Sequence, residues 1–290
     1  MLRKVKKLRC SAKGIEDFSI ALAEFQNEQY FDRKTGLFLS ALINSSEDSD
    51  FIIHTAHFAE SIDYLGYKNT KNVTVKGNAG YEVGKGMKGG TIRVEGNAGD
   101  NVGYCMEYGS ITVKGNAGGK VGESMKGGNI IVEKDAGRLV GWEMKGGSIT
   151  VRGNVGVDVG GNMEGGTIIV NGDAGVDVGF NMKGGAITVE GNADGMVGSG
   201  IADGTIIVKG NAGNDVGRCM KGGTILVNGD AGHYIGMRMN CGTITVEGNA
   251  GKGIGGDMEG GVIHLNGDYQ RIRKIRHGKI YHKGKLIAGK

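Results

Sequence analysis

Carboxylates are the first side chains whose spacing suggests chemistry. Asp158 and Asp177 lie 19 residues apart, and Asp215 lies 38 residues beyond Asp177. Two carboxylates stacked at ~5 Å can share a proton or hold a cation. An enzyme acting on a carbohydrate or acyl substrate would use the Asp158/Asp177 column in that way. Against this, the same phase carries Leu139 and Met196, so the acidic column is broken, and surface carboxylates are the expected reading.

The remaining reactive residues are scattered. His54 and His57 are three apart, but no third metal ligand accompanies them. The four cysteines, Cys10, Cys105, Cys219 and Cys241, show no zinc-type spacing, and a chain with so few thiols and no export signal is expected to keep them reduced in the cytoplasm. No G-x-x-x-x-G-K-[ST] phosphate loop and no G-x-S-x-G elbow occurs. No catalytic residue, metal or cofactor is therefore expected.

What positions these residues is a repeat. The chain has 59 glycines in 290 residues and no proline, which excludes collagen. With 39% hydrophobic residues and a net charge of +4, it does not read as disordered. Met87, Met106, Met125, Met144, Met163 and Met182 follow one another at intervals of 19, and the series resumes from Met220 to Met258 with Ile201 in the gap. Gly84 to Gly255 keep the same period. The unit reads roughly T-I-x-V-x-G-N-A-G-x-x-V-G-x-x-M-x-G-G.

Inside each unit apolar and polar residues alternate, as Ile92-Arg93-Val94-Glu95, which is strand spacing. So many glycines exclude a helix. Identical chemistry at a fixed period predicts an all-β fold, a right-handed parallel β-helix (solenoid) of about ten 19-residue coils. Each phase would stack on itself at ~4.8 Å. The predicted inward columns run from Val73 and Ile92 to Ile263, from Val75 and Val94 to Leu265, and from Val83 to Ile254, with the Ala79 and Met87 columns completing the core. The column Lys76, Glu95, Lys114, Glu133, Arg152 avoids like charges on adjacent coils, as stacked neighbours should.

A solenoid needs capped ends. Residues 1–50 are expected to form an N-terminal cap with a helix, because Ile15, Phe18, Leu22 and Phe25 have helical spacing. Residues 51–267 are the predicted β-helix, its first coils degenerate and one of them a residue short. Residues 268–290 read as a basic C-terminal tail, with eight Lys/Arg against Asp268 alone, and residues 1–9 carry five Lys/Arg and no acid. Basic ends suggest an acidic partner, but they do not amount to a nucleic-acid motif.

The sequence also marks candidate contact surfaces. Tyr104, Trp142 and Phe180 share one phase and recur on every second coil. Ile131, Ile169, Ile207 and Leu226 occupy the strand position between two inward columns, so they would face outward as an aliphatic strip. Aromatic and aliphatic side chains exposed in this way anchor partners.

The stretch Val83-Gly-Lys-Gly-Met-Lys-Gly-Gly-Thr-Ile-Arg-Val-Glu-Gly-Asn-Ala-Gly99 resembles the glycine-repeat (GXGXG motif) β-helix family, which comprises the glycine-repeat subunit of formylmethanofuran dehydrogenase and the C-terminal domain of the glutamate synthase large subunit. The likeness covers about residues 73–267 and leaves both ends outside it. It implies a right-handed β-helix and an organising role in a larger enzyme whose chemistry sits elsewhere. Its regular coils are more similar to the dehydrogenase subunit. The expected function is a non-catalytic scaffold subunit of a multi-subunit oxidoreductase or C1-transfer complex. The alternative is a stand-alone glutamate-synthase-type domain docking with separate catalytic chains. Partners would be catalytic subunits or further copies of the chain, with neither a membrane nor nucleic acid expected.

Overall fold

The computed structural model describes residues 10–289. The basic run at residues 1–9 and Lys290 lie outside the described residues. The chain divides into two units, one holding the chain up to Gly137 with Gly147–Arg152, the other holding Arg138–Gly146 and the chain from Gly153 on. Each is a parallel β-solenoid.

The first unit opens with helix α1, Ala12–Ala21, followed by a 3-10 turn, Leu22–Phe25, and helix α2, Phe31–Ser45. Ser11 caps α1, its Oγ accepting the Gly14 N–H at 3.2 Å. The strands of the unit are β1 (Asp50–His54), β2 (Asn72–Lys76), β3 (Lys88–Val94), β4 (Tyr108–Val113), β5 (Asn129–Val132) and β6 (Ser148–Val151). They pair in parallel in that order, with Val73 on Ile92, Ile92 on Ile111, Ile111 on Ile130 and Ile130 on Ile149. The columns named from the sequence are the core: Ile111, Val113, Val121 and Met125 are all 0% exposed. At ~1.5–3 kcal/mol for each fully buried aliphatic side chain, stacking these columns is the main stabilising term.

The first turn of the solenoid departs from the period, as expected of a degenerate coil. Phe51 pairs with Val73, 22 residues on. The helices cover this end. Ser19 Oγ accepts the His54 N–H at 3.1 Å, and Ser40 Oγ accepts the Gly66 N–H at 2.9 Å while donating to the Tyr64 carbonyl at 2.9 Å. Gly36 lets α2 approach closely, because a Cβ there would run into the Asp63 carbonyl.

The second unit continues the same construction with β7 (Thr167–Val170), β8 (Ala186–Val189), β9 (Ala193–Gly195), β10 (Thr205–Val208), β11 (Ala212–Asn214), β12 (Thr224–Val227), β13 (Thr243–Val246), β14 (Ala250–Ile254), β15 (Glu259–Leu265), β16 (Tyr269–Ile272), β17 (His277–His282) and β18 (Lys285–Gly289). Strands β7, β8, β10, β12, β13, β15 and β17 pair in parallel in that order, while β9–β11 and β14–β16 form short sheets on another side of the coil.

Residues 269–289, which charge marks as a tail, are folded. Ile263 pairs with Ile280, 17 residues on, and Ile280 is 0% exposed. The last coil is two residues short of the period. Strand β18 then turns back antiparallel on β17 and ends the ladder, with Lys285 on the outer strand as is common at exposed sheet edges.

Polar columns are part of the frame. The Asn211 N–H donates to Asn192 Oδ1 at 2.9 Å, Asp230 N–H to Asn211 Oδ1 at 2.8 Å, and Asn249 N–H to Asp230 Oδ1 at 2.6 Å. Each side-chain oxygen thus satisfies the turn amide one coil later, which is why only Asn and Asp fill this phase. The charged column pairs as expected, Glu133 meeting Lys114 at 3.2 Å and Arg152 at 2.6 Å. Among the described residues no helix is long and apolar enough to cross a membrane.

Candidate partner surfaces

Asp158 and Asp177 sit at successive corners of the second unit, in left-handed conformation with φ of 62° and 65°. Burial, then the neighbouring charge of Asp158, pushes the Asp177 carboxyl above the ordinary aspartate range. Val157 and Val176, each 37% exposed, precede them on the same corner. Asp215 lies two coils beyond Asp177, with Met196 between, and forms an ion pair with Arg218 at 3.4 Å. The arrangement is a partly desolvated carboxylate pair with apolar neighbours, and the structure adds no nucleophile to it.

The corner aromatics are half-buried rather than bare. In the first unit the Lys85 ammonium lies over the Tyr104 ring, 5.1 Å from its centroid. A hydrogen bond with Cys105 is the main reason the Tyr104 hydroxyl titrates above its ordinary range. In the second unit the Trp142 ring fills the space that a side chain at Gly161 would take one coil later. Phe180 is half-buried at the next aromatic position.

Ile131, Ile169, Ile207 and Leu226 stand between buried neighbours on the outward side of their strands, each half-buried. Ile207 and Leu226 are directly paired across β10 and β12. Thr188 and Thr245 flank them at the same height. In the second unit this makes a parallel sheet face of methyl and hydroxyl groups.

The largest exposed apolar groups in the first unit include two of the four residues whose helical spacing marks the cap. Ile15 and Leu22 are buried, but Phe18 is 37% and Phe25 54% exposed. The cause is local. After Ala21 the chain tightens into the 3-10 turn, whose three residues per turn carry Phe25 off the helical stripe. Ile20 and Tyr30 are exposed beside them. Phe18, Phe38, Ile15, Leu42 and Cys10 line an open groove of about 460 Å³. The helical stripe alone could not separate these exposed rings from the buried ones.

His54 Nε2 lies 3.1 Å from Glu16 Oε1, and His57 packs on Phe58 with ring centroids 4.1 Å apart. The two histidines therefore have separate neighbours. All four cysteines are free thiols.

No protein-family model matches this chain, and neither does any curated protein sequence.

Proposed function

We propose that the chain is a non-catalytic, cytosolic scaffold subunit of a multi-subunit oxidoreductase or C1-transfer complex, the role implied by its resemblance to the glycine-repeat β-helix proteins. The observation that carries this reading is the apolar surface of the helical cap, where Phe18, Ile20, Phe25 and Tyr30 are exposed within one short segment and Phe18 lines the groove with Phe38 and Leu42. Exposed aromatics grouped beside a groove are typical of protein interfaces. The outward strip at Ile207 and Leu226 offers a second, flatter contact face.

The repeated side chains support a structural role as well. Inward columns are buried, the Asn/Asp column bonds turn amides, and the charged column pairs within itself. What remains for recognition lies on the cap and on the outward columns.

Purification of the tagged chain from its native source tests the proposal. The expected result is co-elution, in fixed stoichiometry, with subunits that carry a redox or C1-transfer cofactor. Phe25→Ser should weaken that association while leaving the circular dichroism spectrum unchanged. Recovery of the wild-type chain alone, or only as copies of itself, would overturn the proposal.

A further inference from the structure

The closing coil of the second unit sets two like charges against each other across paired strands. In the outward charged column, neighbours on adjacent coils are opposite or neutral, as Lys209 with Glu190 at 2.8 Å. In the β14–β16 pair, Lys252 stands directly across from Arg271. Like charges directly opposed on paired strands are destabilising. Arg273 and Lys274 follow on the same segment.

Among the described residues, no carboxylate lies within ion-pair distance of Lys252, Arg271, Arg273 or Lys274. Their neighbours do have such partners: Arg276 meets Glu259 at 3.2 Å and Lys283 meets Asp268 at 3.3 Å. The four unpaired cations line one open cavity of about 570 Å³ together with Tyr234 and a single acid, Asp257. That volume is typical of small-molecule sites.

The backbone is fixed at three of the four cations. Lys252 and Arg271 are on paired strands, and the Arg273 N–H donates to the Ile254 carbonyl at 2.9 Å. The Arg273 guanidinium lies over the Tyr234 ring, 5.9 Å from its centroid, and an edge of that ring lies against Gly253. What the site offers is concentrated positive charge with several N–H donors, the chemistry that binds phosphate oxygens.

We infer that this cavity binds a small molecule carrying two or more linked phosphate groups, whose charge relieves the Lys252–Arg271 repulsion. The site is separate from the cap surface and does not depend on the scaffold reading.

Isothermal titration of the full chain at low salt with inorganic tripolyphosphate, pyrophosphate and orthophosphate tests it. One saturable site per chain is expected, tightest for tripolyphosphate and at least about tenfold weaker for orthophosphate. Adenosine triphosphate should bind no more tightly than tripolyphosphate, and markedly tighter binding would overturn recognition by phosphate charge alone. Lys252→Gln and Arg271→Gln should each weaken binding by about tenfold, while Lys209→Gln should leave it unchanged. Lys252→Gln should also raise the ligand-free unfolding midpoint, an effect that loss of a purely structural lysine would not give. Absence of saturation at millimolar tripolyphosphate would overturn the inference, as would equal binding by the Lys252 and Arg271 variants. Tighter binding of single-stranded DNA than of tripolyphosphate, strengthening with strand length, would overturn it in favour of a nucleic-acid surface.

Discussion

The indole of Trp142 lies in the space that a side chain at Gly161, one coil later, would occupy. A ring and a glycine in the same phase are thus one packing unit, and Tyr234 with Gly253 repeats the device. Gly161→Ala should push the indole outward and cost about 1–3 kcal/mol. Trp142 is the sole tryptophan of the chain, so its emission should shift to the red in the variant. Trp142→Ala should cost a comparable amount, and the double variant should cost less than the sum of the two singles. Strict additivity in urea unfolding followed by circular dichroism would show that the two positions do not share one space.

The Asn/Asp column makes a second, sharper prediction. Asn211 Oδ1 accepts the Asp230 N–H at 2.8 Å. Asn211→Ala orphans that amide and should cost about 1 kcal/mol. Asn211→Asp keeps the acceptor and should cost far less, since Asp173 and Asp230 fill the same phase natively. Hydrogen exchange at Asp230 should speed up in the alanine variant alone. Equal protection in both variants would remove the ladder from the account.

Repetition made the middle of the chain readable. Ile92, Val94, Val83 and Met87 each announce a column because the same side chain returns on the next coil, and all four are buried. The ends resist this reading for different physical reasons. At the C-terminus Ile280 continues the Ile263 column, but the coil has lost two residues and keeps few of its glycines, Gly278 among them, so the alternation is masked by Arg and Lys on the outward positions. At the N-terminus helix α2 is set by contacts with the first coil, such as Gly36 against Asp63, which no local pattern encodes. The Phe18 and Phe25 rings were legible as a helical stripe but not as surface. The cation cluster was visible as charge, whereas the Lys252–Arg271 opposition required the strand register.

Asp63 gives the first unit a defined pH response. Its carboxyl accepts the Tyr81 N–H at 2.7 Å and is raised above the ordinary 3.8, mainly by burial and next by the charge of Asp32 in the first turn of α2. A raised native value means that the folded state holds the proton more tightly than the unfolded chain. Stability contributed at low pH is therefore lost as pH rises from 3.8 through the raised native value, and the loss is constant above it. Asp63→Asn keeps an acceptor for Tyr81 and removes the charge. It should stabilise the protein at pH 7 by less than about 1 kcal/mol, allowing for solvent screening, and flatten that part of the stability curve. Asp32→Asn should act in the same direction. A loss of stability of equal size at every pH would contradict this.

The paired glycines of the repeat have a cause that composition hides. The Met182 methyl approaches to 2.7 Å the point where a Cβ on Gly204 would lie, and Gly204 has φ of 103°. Met163 stands in the same relation to Gly185. Two separate penalties thus oppose any side chain there, a backbone one of ~1–2 kcal/mol and an overpacking one of about 1–3 kcal/mol. Gly204→Ala should carry both. Met182→Ile should be tolerated at under about 1.5 kcal/mol, because Ile201 already fills this phase and keeps 3.2 Å from the equivalent point at Gly223. Combining the two substitutions should recover only part of the loss. The backbone strain persists, and the Gly185 carbonyl still lies 2.7 Å from the new methyl. Urea midpoints for the two single variants and the double separate the terms. Full rescue by Met182→Ile would mean that the methionine alone dictates the glycine.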